Sequence, residues 1–95
     1  MPSVTHINNK NTGHDACPGV PLIGGSSSVF VNGIQVGRIG DPYAMHGCED
    51  HSAHTPHLAA GSSTVFADGV PVGRVGDAVD CGGVAIQGSP DVYAG

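Results

Sequence analysis

The stretch GSSSVFVNGIQVGRIGD at residues 25–41 recurs as GSSTVFADGVPVGRVGD at residues 61–77, at an offset of 61 − 25 = 36 residues. Eleven of the 17 aligned positions are identical, and a shorter copy, GSPDVYAG, occupies residues 88–95. Self-similarity at a fixed period is typical of repeat architectures. We therefore predict one domain over residues 1–95, which consists of a leader at 1–24, two full units and a truncated third unit.

Each full unit has the pattern of a β-hairpin. In the first unit, the β-branched and aromatic residues 29–31 are followed by Asn32-Gly33 and then by residues 34–36. Asp68-Gly69 holds the same place in the second unit, and both dipeptides favour a type I′ turn, whose two central residues take positive φ. Pro71 has no N–H to donate, so its strand is predicted at an edge or a bulge.

A Gly-Asp pair ends each unit, and an arginine precedes the aspartate by three residues. We predict that Arg38 with Asp41, and Arg74 with Asp77, form local ion pairs that hold these turns. No stretch has the apolar period of a helix over three turns. The predicted fold class is therefore all-β, a small cone or prism of pseudo-threefold hairpins.

The composition excludes several classes of function. Sixteen Gly and seven Pro among 95 residues, with no Trp, leave few large side chains for a core, so a metal, disulfide or partner is expected to stabilise it. A net charge of −5 with three Lys and Arg argues against nucleic-acid binding. No apolar run is long enough for a membrane span, and residues 1–15 do not form a signal peptide. We expect synthesis in the cytosol and export by a route that reads no such signal.

All histidines and cysteines lie outside the hairpins. They occur in the leader (His6, His14, Cys17), in the loop 42–60 (His46, Cys48, His51, His54, His57) and in the loop 78–87 (Cys81). An odd number of cysteines in a reducing compartment argues against a disulfide framework. If the hairpins surround a common axis, these three segments converge at one end of that axis, which we call the pole. A metal ion bound there would cross-link the three segments.

The repeat register selects candidate ligands at this pole. His54 and Cys81 each lie seven residues before the glycine that opens the next unit, so equivalent units turn them toward the same axis. His46 lies near the start of its loop. The leader offers His14, which we prefer, or Cys17.

Three histidines and one thiolate form a closed tetrahedral set that suits a structural Zn²⁺. Such sites contribute roughly 10–16 kcal/mol, so folding is expected to depend on zinc. Alternatives remain open at this stage: His51 or His57 in place of His54, and Cys48 in place of His46. His6 is interpreted as a solvated residue of the leader.

An enzymatic role is not favoured. Acidic residues beside His14 and His51, and the thiols of Cys17 and Cys48, superficially resemble catalytic pairs. Adjacent residues rarely point the same way, and the sequence predicts neither a cleft nor an oxyanion site. We therefore predict no catalytic residues.

The motifs taken together resemble the PAAR-repeat family, the tip proteins of type VI secretion spikes and contractile phage tails. The resemblance extends from about Gly13 to Gly95. It rests on GHDACP at residues 13–18, the two GSS(S/T)VF…VGR(I/V)GD units, MHGC at residues 45–48 and DCGG at residues 80–83.

This resemblance implies a cone with one structural zinc held near its apex by His14, His46, His54 and Cys81. It implies that the base of a monomeric chain caps a trimeric VgrG-like spike protein, and that the tip touches the target membrane transiently as it pierces it. The protein would be loaded in the bacterial cytoplasm and then delivered. Since the sequence stops within its third unit, any effector is expected to be a separate chain.

Two other functions compete with the piercing tip. A metal buffer or metallochaperone is suggested by six histidines among 95 residues, and such a protein would stay folded without metal. A small zinc hydrolase would need an open coordination position on the metal. The piercing tip is the function that we predict from the sequence.

Overall fold

The computed structural model describes residues 1–12, 18–48, 51–80 and 82–95, and for residues 46–48 and 51–54 the description is of the backbone. Within these ranges the chain contains no helix, which confirms the predicted all-β class. Three two-stranded antiparallel sheets are formed by β1 (Phe30–Val31) with β2 (Ile34–Gln35), β3 (His46–Cys48) with β4 (His51–His54), and β5 (Phe66–Ala67) with β6 (Val70–Pro71). In the described ranges, no helix is long and apolar enough to cross a membrane.

The two hairpins predicted from the repeat are present with the predicted turns. Asn32 and Gly33 have φ angles of 52° and 80°, and Asp68 and Gly69 have 55° and 78°. Positive φ at both central residues is the signature of a type I′ turn, so this prediction is confirmed. Pro71 lies in β6, which belongs to a two-stranded sheet and is therefore an edge strand, as expected for a residue without an N–H.

The predicted arginine–aspartate pairs are also confirmed. The Arg38 Nε lies 3.0 Å from an Asp41 carboxylate oxygen, and Arg74 makes the same contact with Asp77. The same carboxylate oxygen accepts a hydrogen bond from the arginine main-chain N–H at 2.8 Å in both units. One carboxylate therefore fixes both the backbone turn and the guanidinium, and its hydrogen bonds raise the pKa of each arginine above its usual value.

The third unit is completed by the first residues of the chain. Val4 donates its N–H to the Val92 carbonyl at 2.9 Å and accepts from the Ser89 N–H at 2.8 Å. In the first unit, Val36 makes the same two contacts with Val29 and Ser26 at 3.1 and 2.8 Å. Residues 88–94 and 2–4 thus form the two sides of one hairpin, so the first part of the leader belongs to the third repeat.

The third unit also matches the other two in the turn that follows its hairpin, at residues 6–9. The His6 N–H donates to the Asn9 side-chain oxygen at 2.8 Å, as the arginine N–H does to the aspartate in the other units. Asn8 has a φ of 82°, close to the 91° of Gly40 and the 95° of Gly76. Asparagine tolerates this left-handed conformation better than most residues. His6 is thus a half-buried member of the third unit rather than a solvated leader residue.

A triangle of backbone hydrogen bonds lies where the three units meet on the axis. Thr5 donates to the Gly73 carbonyl at 3.0 Å, Gly73 to Gly37 at 2.8 Å, and Gly37 back to Thr5 at 2.9 Å. A Cβ at Gly73 would lie 2.7 Å from Leu58 Cδ1 and 3.0 Å from Thr5 Cγ2. The axis therefore accommodates one side chain at this level, that of the fully buried Thr5.

Two small apolar clusters lie on either side of this triangle. The cluster at the hairpin end contains mostly valine and alanine: Val4, Val31, Val36, Ala67, Val72 and Ala94. The cluster at the end with the connecting segments contains Leu22, Tyr43, Leu58, Val79 and Ala85. The predicted thinness of the core is confirmed in the described ranges, since Tyr43 is the one aromatic side chain in either cluster.

Neighbouring units are joined by contacts between a hairpin turn and the first serine of the preceding unit in the ring. Asp68 accepts hydrogen bonds from Ser26 and Ser28, and Asn32 donates to Ser89 at 3.1 Å. The main-chain oxygen of Gly95 accepts a hydrogen bond from Ser62. The second unit thus contacts the first, the first contacts the third, and the third contacts the second, which closes the ring.

The Asp68 contact predicts an acid-dependent contribution to stability. Hydrogen bonds from Ser26 and Ser28, supported by Arg38, lower the pKa of Asp68 below its usual value. A lowered carboxyl pKa contributes stability above its unfolded value of about 3.9, and this contribution is lost as pH falls through the folded pKa. We expect Asp68→Asn to lower the Tm at pH 6 and to have a smaller effect at pH 3. A Tm difference between variant and parent that does not shrink on acidification would contradict the assignment.

Candidate metal centre

The three connecting segments come together at the end of the axis opposite the hairpin turns. The long loop contacts the leader where Ala44 donates to the Pro21 carbonyl at 2.8 Å. The short loop contacts the long loop where Asp80 donates to His57 at 3.0 Å, and the leader contacts the short loop where Thr12 donates to Val84 at 2.9 Å. These three contacts are equivalent in the repeat. The predicted convergence is therefore observed at the described ends of all three segments.

The long loop contains a hairpin that no pattern in the sequence predicts. Strands β3 and β4 pair with His46 directly opposite His54, and Cys48 directly opposite His51, with an irregular register between the two pairs. Directly opposed residues in an antiparallel pair have Cα atoms about 4.5–5.5 Å apart. Two of the four predicted ligand positions are thus brought together by the backbone register.

His14 and Cys81, together with the alternative ligand Cys17, lie outside the described residues. The residues around Cys81 form a tight turn, because Val79 donates to Gly83 at 2.8 Å and Gly82 donates to Val79 at 3.0 Å. Gly82 has a φ of 104°. Thr12, two residues before His14, is bound to Val84 just after this turn through two hydrogen bonds. Thr12, the last described residue before His14, therefore lies beside Val84, which follows Cys81 by three residues.

His57, left open as an alternative ligand, has another partner. Its Nδ1 lies 3.3 Å from a carboxylate oxygen of Asp80, and its main-chain N–H donates to the other oxygen at 3.0 Å. Its neighbour Leu58 is buried in the core, whereas 44% of the His57 side chain is exposed. In an extended chain, successive side chains point to opposite faces. His57 therefore faces outward, where it contacts Asp80 of the short loop.

The donor set suits the metal that the sequence predicts. Among the described side chains, no three of His, Cys, Asp and Glu gather into a metal-binding group. The four predicted ligands are either outside the described ranges or described by their backbone. What the described backbone provides is a ring of three segments at one pole and the pairing of His46 with His54. Imidazole nitrogens and a thiolate at such a closed pole fit Zn²⁺.

The surface that can be described also has no pocket for a small molecule. The exposed apolar side chains are instead distributed over the surface. The largest at the hairpin end are Phe30, Phe66 and Tyr93, which occupy equivalent positions in the three units and are 53%, 53% and 50% exposed.

Comparison with known proteins gives one family. A family model described as the PAAR motif matches residues 12–87 of the 95-residue chain. This range includes the two full units and all three connecting segments at the pole. A comparison with curated proteins found no match.

Proposed function

Because the chain belongs to the PAAR-motif family, we propose that it is the piercing tip of a type VI secretion spike or a related contractile machine. Family membership supports a structural role at the spike tip rather than catalysis. The observation that carries the proposal is the closed ring of three equivalent units in a single chain. Such a chain offers three similar faces to one partner, so one copy can cap a threefold-symmetric trimer.

We propose that the pole is held by one structural zinc ion. His14, His46, His54 and Cys81 would bind it through three imidazole nitrogens and one thiolate. The ion would supply a cross-link between the leader, the long loop and the short loop, whose ends are hydrogen-bonded around the axis. A closed set of four protein ligands leaves no position for water, so this site is structural rather than catalytic.

The hairpin end is the surface that we propose for docking on a trimeric VgrG-like spike protein. Phe30, Phe66 and Tyr93 present half-exposed aromatic rings at equivalent positions around the axis. Aromatic residues are over-represented among the residues that dominate binding energy at protein interfaces. A trimer with three equivalent apolar sites would bury all three rings at once, while the opposite end remains free to meet the target.

Binding to the purified trimeric spike protein tests the proposal. We expect one chain per trimer, and substitution of Phe30, Phe66 and Tyr93 by serine should weaken the Kd at least tenfold. Ile23 and Ile86 are also about half exposed, but they follow core residues near the other pole. A double Ile23→Ser, Ile86→Ser variant is therefore the matched control and should bind like the parent.

Two results would contradict the docking proposal. One is an absence of binding at micromolar concentrations of both proteins. The other is a stoichiometry of three chains per trimer, since that would mean that each spike subunit binds its own copy.

A further inference from the structure

The first and last residues of the chain face each other across the third hairpin. Ala94 donates its N–H to the Pro2 carbonyl at 3.1 Å, and Ser3 is paired with Tyr93 in antiparallel fashion. The same pairing in the first unit joins Phe30 to Gln35. The two sides of the third hairpin are thus in the same register as the two sides of a continuous one.

Counting along this register places the two ends in a turn. Gly95 takes the place of Asn32 and Asp68, the first residues of the other turns. Met1 takes the place of Gly33, the second turn residue. Residues 95 and 1 therefore occupy consecutive turn positions, and the Met1 sulfur lies 3.6 Å from where a Cβ on Gly95 would be.

The contact made by Gly95 supports this equivalence independently. Its main-chain oxygen accepts hydrogen bonds from Ser62 and Thr64. In the first unit, the equivalent hydroxyls of Ser26 and Ser28 donate to the Asp68 carboxylate. The backbone of Gly95 therefore fills the acceptor position that a side chain fills at the neighbouring turn.

We infer that the fold is a closed ring of three equivalent hairpins interrupted at one turn, and that the three turns are interchangeable as positions where the chain can break or where an additional polypeptide can join. Joining Gly95 to residue 1 should complete the third turn with no added residue. The chain should then open equally well between Asn32 and Gly33 or between Asp68 and Gly69. This inference depends on neither the zinc nor the spike partner.

The two intact hairpin turns have open space around their second residues, although Asn32 and Asp68 bind the neighbouring units. A Cβ at Gly33 or Gly69 would have no atom within 4 Å, and both turns are exposed. The turn at Gly40-Asp41 differs, because Asp41 is buried, donates to the Arg38 carbonyl and accepts from Arg38. A break there would separate groups that hold the turn.

Circular permutation tests the inference with one substitution and no added or deleted residue. In each permutant, Gly95 is joined directly to residue 1, with Met1→Gly to suit the positive φ found at Gly33 and Gly69. Two permutants open at 32/33 and at 68/69, and the control opens at 40/41. With zinc supplied throughout, we expect the first two to melt within about 5 °C of the parent, and the control at least about 10 °C lower.

Two further variants test the same inference in other ways. The parent closed into a backbone circle, with no new break, should melt above the linear chain because its unfolded state is restricted. A small guest domain inserted at 32/33 through Gly/Ser linkers should leave the Tm of the tip within the same 5 °C or so. A lowered Tm for the circle would show that the ends do not meet in a turn. If the permutants opened at 32/33 and 68/69 melt as low as the control, the three turns are not interchangeable as break positions.

Discussion

Chelation of the proposed zinc ion is expected to unfold the protein. The two apolar clusters consist mostly of valine, alanine and leucine, and cores of small scaffolds supply about 3–5 kcal/mol. A structural zinc site contributes roughly 10–16 kcal/mol. Titration with a strong chelator, followed by far-UV circular dichroism, should therefore show cooperative loss of structure, and elemental analysis of the untreated protein should give one zinc per chain.

Matched cysteine variants test which thiol binds the proposed zinc ion. Cys81→Ser should abolish tight zinc binding and the folded state, whereas Cys48→Ser should leave both unchanged. A metal-free protein that retains its full thermal transition would refute the zinc proposal and would favour a metal buffer. That result would leave the spike-binding measurement unaffected, so the two parts of the proposed function can fail separately.

A second large effect is expected at the axis, where Thr5, Gly37 and Gly73 form the backbone triangle. Gly73→Ala should lower the free energy of unfolding by roughly 1–3 kcal/mol, because its Cβ would meet Leu58 and Thr5 at 2.7 and 3.0 Å. Thr5→Gly should also destabilise, since it leaves a void in the buried axis. Urea denaturation gives both values.

The double variant Thr5→Gly, Gly73→Ala separates crowding from backbone effects. It moves the single axial side chain from one unit to another. The decrease in its free energy of unfolding should therefore be smaller than the sum of the decreases in the two single variants, by about 0.5–3 kcal/mol. Strict additivity would show that the axis does not restrict the number of side chains. The Thr5 hydroxyl has no hydrogen-bond partner among the described residues, so Thr5→Val is the isosteric control and should stabilise the protein.

The hairpins of the two full units could be predicted because their signals are local. Asn32-Gly33 and Asp68-Gly69 specify the turn type, and Arg38 and Asp41 are close enough in sequence to pair by themselves. The third unit was recognised only in part, because its two sides are separated by nearly the whole chain. The signal was present as VTHINN at residues 4–9, which aligns with VGRIGD at residues 36–41. Asparagine replaces both the turn glycine and the capping aspartate there, which hides the match.

The candidate site was predictable in position more than in detail. The repeat register was sufficient to place the three connecting segments at one pole. It did not reveal that His46 and His54 are paired across the β3–β4 hairpin, since HGCEDHSAH at residues 46–54 lacks the usual turn and strand residues. It also could not separate His57 from the other histidines of the loop. That distinction depends on Asp80, which is distant in sequence and meets His57 only in the folded chain.

The cyclic arrangement of the hairpins also bears on how the protein behaves at high concentration. Short two-stranded sheets normally expose unpaired N–H and carbonyl groups along their sides, and these recruit strands from other molecules. Here the sides of the repeat hairpins bind the adjacent units, as where Ile39 donates to Pro71 and Val75 donates to Ser3. We therefore expect the sides of these hairpins not to recruit strands from other copies of the protein at high concentration.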